Sequence, residues 1–103
     1  MDVIKTVEEF DAILKDNVGV FVDFYADWCG PCKMVAPVVE ELASENTDVK
    51  FIKVNVDDSP ELAERYQVMS IPTLIAFKNG TPASQTMGFQ AKESLELVVK
   101  AAK

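Results

Sequence analysis

The spacing of hydrophobic residues changes along the chain between a helical period and the continuous runs typical of strands. Hydrophobic positions recur at helical intervals over residues 6–16, 32–45 and 93–102. A fourth, short helix is predicted from Ser59-Pro60-Glu61, which places a capping hydroxyl, a first-position proline and an acid at a helix start. Thr6 and Glu9 have the spacing of a capping box, so the first helix is expected to begin there.

Two apolar runs predict buried strands. Residues 18–25 form a nearly continuous run rich in β-branched and aromatic side chains, which is typical of a strand covered on both faces. We expect this strand to be the central one of the sheet. Residues 49–56 predict another strand.

A β-hairpin is predicted near the carboxyl end of the chain. Residues 73–78 and 81–87 flank Asn79-Gly80, a pair that readily adopts the positive φ angles of a tight turn. Pro82 has no N–H group, so the second arm is expected at a sheet edge. The predicted order is β-α-β-α-β-α-β-β-α, which indicates an α/β fold with a mixed sheet, flanked by helices, in a single domain covering residues 1–103.

Composition limits the possible classes of function. Of the 103 residues, 49% are hydrophobic and 26% are charged, which is typical of a soluble globular domain. The formal net charge of -7 argues against binding to a phosphate backbone, so no nucleic-acid partner is expected. No apolar run has the length of a membrane span, and the first residues do not resemble a signal peptide. We therefore expect a cytoplasmic monomer without a membrane partner.

The only two cysteines and the only tryptophan of the chain lie within Trp28-Cys29-Gly30-Pro31-Cys32. Because the chain has no histidine, it cannot by itself complete a four-ligand zinc site, a Cys-x-x-Cys-His haem attachment or a Cys-His hydrolase. Three interpretations remain: a redox-active pair, two inert buried cysteines, or thiolates that two chains pool around zinc or an iron-sulfur cluster. The pair lies where a strand is followed by a helix, which favours redox chemistry.

The spacing of the two cysteines suits a reversible disulfide. Two intervening residues wound into a first helical turn bring the sulfurs close enough to bond, and a helix amino terminus stabilises a thiolate. Cys29, at the exposed start, is predicted to be the nucleophile, whereas Cys32 is expected to be shielded and to keep its proton longer. Pro31 fixes φ and Gly30 relieves the turn, so together they are expected to bias the dithiol-disulfide equilibrium.

Asp23 is a candidate for proton transfer. It lies inside an apolar strand between Val22 and Phe24, so burial is expected to raise the pKa of its carboxyl and make it a proton acceptor near neutral pH. The alternative is an acid at a strand end that reaches solvent. Lys53, on the adjacent strand, is predicted either to pair with Asp23 or to remain a solvated lysine.

These residues together resemble the thioredoxin family over essentially the whole chain. The resemblance rests on Trp28-Cys29-Gly30-Pro31-Cys32-Lys33 and on further motifs that occur in the family's order and spacing. These motifs are Val22-Asp23-Phe24, Ala36-Pro37, Val54-Asn55-Val56-Asp57, Ile71-Pro72-Thr73, Phe77-Lys78-Asn79-Gly80 and Gly88. The resemblance implies a thioredoxin fold, with about five strands and about four helices, and a general protein-disulfide reductase.

The resemblance also implies a mechanism. Cys29 would attack a disulfide of a partner protein, and Cys32 would resolve the mixed disulfide and leave a Cys29–Cys32 bond. Asp23 would deprotonate Cys32 through water. A thioredoxin reductase, either an NADPH-dependent flavoprotein or in some organisms a ferredoxin-linked enzyme, would regenerate the dithiol, and no cofactor would be bound. In the family, Gly-Pro between the cysteines is typical of reducing members.

A substrate-binding surface follows from the same resemblance. It implies a cis peptide bond at Pro72, next to the disulfide, although an ordinary trans proline at a strand start is the expectation without the family. Trp28, Ile71, Pro72 and Gly88 would form an apolar collar around Cys29, with Phe89 beside them, and an extended partner segment would pair with the Ile71 backbone. Trp28 could equally be buried in the core.

The chain departs from the family pattern at four positions. Tyr25 stands where many bacterial members have a second tryptophan, Met69-Ser70 replaces a common Arg-Gly, and Phe89 is bulkier than the usual alanine. These departures leave the choice of partners and reductase open. A second class of function also remains, a binding module in which the thioredoxin scaffold supports a complex without turnover.

Overall fold

The computed structural model describes all 103 residues, Met1 to Lys103, and contains five strands and four helices in the predicted order. Their bounds are β1 Asp2–Val3, α1 Val7–Asp16, β2 Gly19–Tyr25, α2 Gly30–Glu45, β3 Lys50–Asn55, α3 Pro60–Arg65, β4 Thr73–Lys78, β5 Thr81–Met87 and α4 Lys92–Ala101. The predicted fold class, a mixed five-stranded sheet with four helices, is confirmed.

The sheet has the strand order β1-β3-β2-β4-β5, with β2 in the centre as predicted. Strands β1, β3 and β2 are parallel, and β4 and β5 each run antiparallel to their neighbour. Pro82 lies on β5, which is an edge strand as predicted.

Both faces of the central strand are buried, which explains its continuous apolar sequence. On one face, Phe21 packs in a cluster with residues of α2 and α4, including Leu42 and Leu95. On the other face, Val22 packs with Phe10 of α1 and with Leu62 of α3. Since side chains alternate along a strand, Asp23 shares the face of Phe21 and points toward α2.

The helix α2 begins at Gly30, two residues earlier than the hydrophobic period predicts. Gly30 and Pro31 occupy its first turn, where proline loses no hydrogen bond because the first N–H groups of a helix have no partner within it. Cys29 is the N-cap residue, and its Sγ accepts a hydrogen bond from the Cys32 N–H at 3.2 Å. Both cysteines therefore lie at the amino terminus of this helix.

The two predicted helix caps have different outcomes. Thr6 caps α1 as predicted, because its Oγ1 accepts from the Glu9 N–H at 3.1 Å, while the Glu9 carboxylate accepts from the Lys5 N–H instead of closing the box on Thr6. Ser59 occupies the N-cap position of α3, but the predicted side-chain cap is wrong. Its buried hydroxyl donates to the Lys5 carbonyl oxygen at 3.2 Å, and this contact turns the side chain away from the helix.

Candidate active site

Cys29 and Cys32 form a disulfide where the carboxyl end of β2 leads into α2, with their Cα atoms 5.3 Å apart. This separation lies within the usual range for bonded cysteines. The sequence therefore folds the pair into a bonded arrangement within one helical turn, as the spacing predicts.

The prediction that Cys29 is more exposed than Cys32 is wrong for this disulfide form. The two residues are 3% and 4% exposed, so exposure does not distinguish them. Ile71 covers the pair, together with Tyr25 and Val56, from outside the motif. What differs is their surroundings: Cys29 Sγ lies 3.7 Å from the Ile71 carbonyl oxygen, while Cys32 lines a pocket that also contains Asp23.

The loop before β4 brings the proposed substrate-binding residues together. The Ile71–Pro72 peptide bond is cis, as the family resemblance implies. The Gly88 N–H donates to the Pro72 carbonyl oxygen at 2.8 Å, and Gly88 has a φ of 79°, which favours glycine. Because the Ile71 carbonyl also contacts Cys29, the disulfide, the cis-proline loop and Gly88 form one continuous site.

Trp28 lies on the surface beside the disulfide, so the alternative of a buried packing residue is wrong. Its side chain is among the exposed large hydrophobic groups at 71%, and its indole Nε1–H donates to Asp57 Oδ2 at 2.9 Å. Asn55 Oδ1 accepts from the backbone N–H groups of Asp57 and Asp58, which fixes the turn that carries this carboxylate. Sequence reasoning did not assign a role to Asp57, because its partner lies 29 residues away.

Asp23 is buried, with 1% exposure, which contradicts the alternative of a solvent-reaching acid. Its Oδ1 has no hydrogen-bond partner. Desolvation by burial raises the pKa of its carboxyl to about 6, and the positive charge of Lys53 partly opposes that rise. The predicted burial and the predicted direction of the pKa shift agree with the structure.

Lys53 does not form a direct pair with Asp23, which was one of the two arrangements predicted for it. The two residues are register partners on β2 and β3, yet no oxygen of Asp23 lies within 4.0 Å of the Lys53 ammonium. The ammonium instead lies 4.5 Å from the centroid of the Tyr25 ring, a cation-π geometry. Lys53 therefore acts on Asp23 through its charge, without a direct ion pair.

An open pocket of about 350 Å³ connects the buried carboxyl of Asp23 to Cys32. Its lining residues are Asp23, Tyr25, Ala26, Asp27, Cys32, Lys33, Ala36 and Lys53. A space of this size that is lined in part by charged side chains can hold water molecules, so a proton can pass between Cys32 and Asp23 without direct contact between them.

Gly30 and Pro31 shape the first turn of α2 without adding a charged group. A Cβ atom at Gly30 would meet no atom within 4 Å, so this glycine is not required by packing. Of the residues that depart from the family pattern, Met69 is 92% exposed and Phe89 is 45% exposed, both in the segments that flank the disulfide. Ser70 donates a hydrogen bond to Met87 Sδ at 3.4 Å.

Two further features of the structure bear on the other classes of function. No group of three or more His, Cys, Asp or Glu side chains is arranged to hold a metal ion. No helix has the length and apolar character needed to cross a membrane.

Comparison with known proteins identifies close relatives. The family model described as Thioredoxin matches residues 2–101. Thioredoxins from Staphylococcus epidermidis and Staphylococcus aureus are each 48% identical to this chain over 101 residues. Each match covers 96% of this chain and 96% of the relative. Among solved structures, Fasciola hepatica thioredoxin has a TM-score of 0.93 at 34% identity, covering 100% of both chains. Plasmodium falciparum thioredoxin has a TM-score of 0.92 at 37% identity, covering 97% of both.

Proposed function

Because the chain belongs to the thioredoxin family, we propose that it acts as a general protein-disulfide reductase. It is a thiol-disulfide oxidoreductase, and Cys29 and Cys32 are its redox-active pair. The observation that carries the proposal is the position of the disulfide, between the cis-Pro72 loop on one side and the pocket of Asp23 on the other.

The first step is attack by the Cys29 thiolate on a disulfide of the partner protein. A bond forms between Cys29 Sγ and one partner sulfur, and the other partner sulfur leaves as a thiolate. The N-cap position supports this assignment, since the Cys32 N–H already points at Cys29 Sγ and the helix amino terminus favours negative charge there. Cys29 also faces the Ile71 carbonyl, on the side where a partner segment would bind.

The second step releases the partner. Cys32 gives its proton, through water in the pocket, to the Asp23 carboxylate and attacks Cys29 Sγ. The mixed disulfide breaks, the partner leaves with its second sulfur reduced, and the Cys29–Cys32 bond forms, so two electrons pass from this protein to the partner. With the pKa of Asp23 raised to about 6, most of the carboxyl is ionised at neutral pH and is a stronger base than an ordinary aspartate.

Partner recognition would use the surface around Cys29. Trp28 is exposed, and Ile71, Pro72 and Gly88 lie in the two loops that meet beside the disulfide. An extended segment of a partner can pair with the Ile71 backbone and place its own disulfide over Cys29. Members of this family generally act on protein disulfides and are reduced by a reductase, so we propose an NADPH-dependent flavoprotein as electron donor, no bound cofactor, and a monomer in the cytoplasm.

Replacement of Cys32 by serine is expected to trap a mixed disulfide on Cys29. The first step needs only the Cys29 thiolate, whereas release needs a thiol at position 32, so the covalent complex should accumulate. Incubation of Cys32→Ser with oxidised insulin, followed by non-reducing electrophoresis and mass spectrometry, measures the adduct. Cys29→Ser is the matched control and should form little adduct; efficient trapping through Cys32 in that variant would reverse the assignment.

Replacement of Asp23 by asparagine is expected to slow the resolving step at neutral pH by roughly 10- to 100-fold, because general acid-base catalysis typically contributes at least this much. The amide keeps the shape of the carboxyl but cannot accept the proton of Cys32. Single-turnover reduction of a disulfide peptide by pre-reduced protein separates formation of the mixed disulfide from its decay. Formation should be unaffected in this variant, and an unchanged rate of decay would rule out the proposed role.

A further inference from the structure

Four polar residues share one face of the sheet next to the disulfide. Asp23 and Tyr25 lie on β2, and their register partners on β3 are Lys53 and Asn55. Side chains two residues apart on a strand point to the same side, so Asp23, Tyr25 and Lys53 all line the pocket beside Cys32. The Tyr25 ring and the Asp23 carboxyl are therefore both within reach of the Lys53 side chain.

The missing ion pair between Lys53 and Asp23 is physically unexpected. Asp23 is almost fully buried and its Oδ1 has no partner, whereas lysine carries a flexible four-carbon chain that can adjust to a nearby carboxylate. The Lys53 ammonium nevertheless lies over the Tyr25 ring, 4.5 Å from its centroid, and not within 4.0 Å of the carboxyl oxygens. The aromatic ring competes with the carboxylate for the same cation.

We propose that Tyr25 is a positioning residue for the redox reaction: its ring holds the Lys53 ammonium away from a direct ion pair with Asp23 and so keeps Asp23 able to accept a proton near neutral pH. The importance of this arrangement for turnover rests on the proposed role of Asp23 in the resolving step. The arrangement itself can be tested without any measurement of activity.

The magnitudes allow a single aromatic ring to have this effect. A desolvated cation-π contact can shift an equilibrium by about 30-fold, which is equivalent to about 1.5 pH units. A cation within direct reach of a carboxylate lowers its pKa by about 1–3 pH units. Such a contact would reverse much of the rise that burial gives to the pKa of Asp23, which stands at about 6 while Lys53 stays on the ring. The carboxylate would then be a weaker base for the Cys32 proton.

Other charged groups around the pocket do not account for the position of Lys53. Asp27 and Lys33 also line it, and Asp58 acts on Tyr25 through its charge, but neither Asp27 nor Asp58 forms an ion pair with Lys53 within 4.0 Å. The β4 register partner of Asp23 is the apolar Leu74. Burial, and next the charge of Asp27, raise the pKa of the Tyr25 phenol, so Tyr25 is neutral at physiological pH. Lys53 therefore contacts the face of a neutral ring.

The test compares Tyr25→Phe with Tyr25→Leu in the oxidised protein, where neither cysteine titrates. Carbon-detected NMR of the Asp23 carboxyl as a function of pH reports its protonation directly. Tyr25→Phe keeps the aromatic face and should leave the titration unchanged, whereas Tyr25→Leu releases Lys53 and should lower the pKa of Asp23 by about 1 pH unit or more. If Tyr25→Leu does not fold, Tyr25→Met removes the ring with a different aliphatic shape.

The same substitutions in a Lys53→Met background separate the proposal from simple entry of water. If the proposal holds, the pKa of Asp23 should be the same in the double variant Lys53→Met/Tyr25→Leu as in Lys53→Met alone. If Tyr25→Leu still lowers the pKa of Asp23 in the Lys53→Met background, the effect comes from entry of solvent and the proposal is overturned. It would also be overturned if Tyr25→Leu left the pKa unchanged or raised it, or if Tyr25→Phe lowered it as much as Tyr25→Leu. Each of these readings is independent of reductase activity, so failure of the proposed function would not affect them.

Discussion

Replacement of both Cys29 and Cys32 by serine is expected to reduce the rate of insulin disulfide reduction to that of dithiothreitol alone. Serine hydroxyls cannot take part in disulfide exchange. Because the chain has no other cysteine, no other residue can carry out the attack or the resolving step. Precipitation of the insulin B chain, followed by light scattering, measures the rate.

The same variant distinguishes a reductase from a binding module that uses the fold only as a scaffold. The assay contains reductant, which reduces the wild-type disulfide again after each turnover, so loss of that cross-link has little effect on the comparison. Leu97→Ala is a suitable control, because it removes a 70% exposed apolar side chain on α4 outside the residues around the disulfide. A scaffold should lose nothing in the double serine variant, and retention of the full catalysed rate would reject the reductase assignment.

The fold was predictable because its strongest patterns have a single physical cause. The apolar run of β2 has no polar alternation because helices cover both faces of that strand, and Asn79-Gly80 forms a turn because both residues have positive φ. The start of α2 was misplaced because Gly30 and Pro31 carry no periodic apolar signal, although their backbone preferences suit a first helical turn. No residues were assigned to β1, which has only two, both exposed.

The site was less predictable wherever it depends on contacts between distant segments. Burial of Asp23 followed from its apolar neighbours, and the structure agrees. Shielding of Cys29 depends on Ile71, 42 residues further along the chain, and could not be deduced from the position of Cys29 at a helix start. The position of Lys53 could not be predicted for a similar reason. Strand register makes Lys53 and Asp23 neighbours, but it does not decide which partner a flexible side chain contacts.

Asparagine at position 23 is expected to stabilise the oxidised protein at neutral pH by about 3 kcal/mol, the largest change in stability that we predict. Burial raises the pKa of Asp23 from 3.8 to about 6, so between these values the folded state binds more protons than the unfolded state. Stability therefore falls as the pH rises through this window. Above pH 6 the folded state has lost all of the stability that ionisation of Asp23 removes. At about 1.4 kcal/mol for each unit between the two pKa values, this loss amounts to about 3 kcal/mol.

The sign of this effect predicts a pH dependence that a simple packing change would not produce. Below the unfolded-state pKa of 3.8 the aspartate is protonated in both states, so the advantage of Asp23→Asn should vanish there and grow as the pH rises toward neutral. Guanidinium unfolding of wild type and variant across this range measures the difference, in which the other acids cancel. Glu40→Gln removes the same charge from an exposed position of α2 and is the control for loss of charge alone. A gain from Asp23→Asn that was equal at both ends of the range would show that the carboxyl is not destabilised by ionisation, and would remove the basis for treating Asp23 as a base near neutral pH.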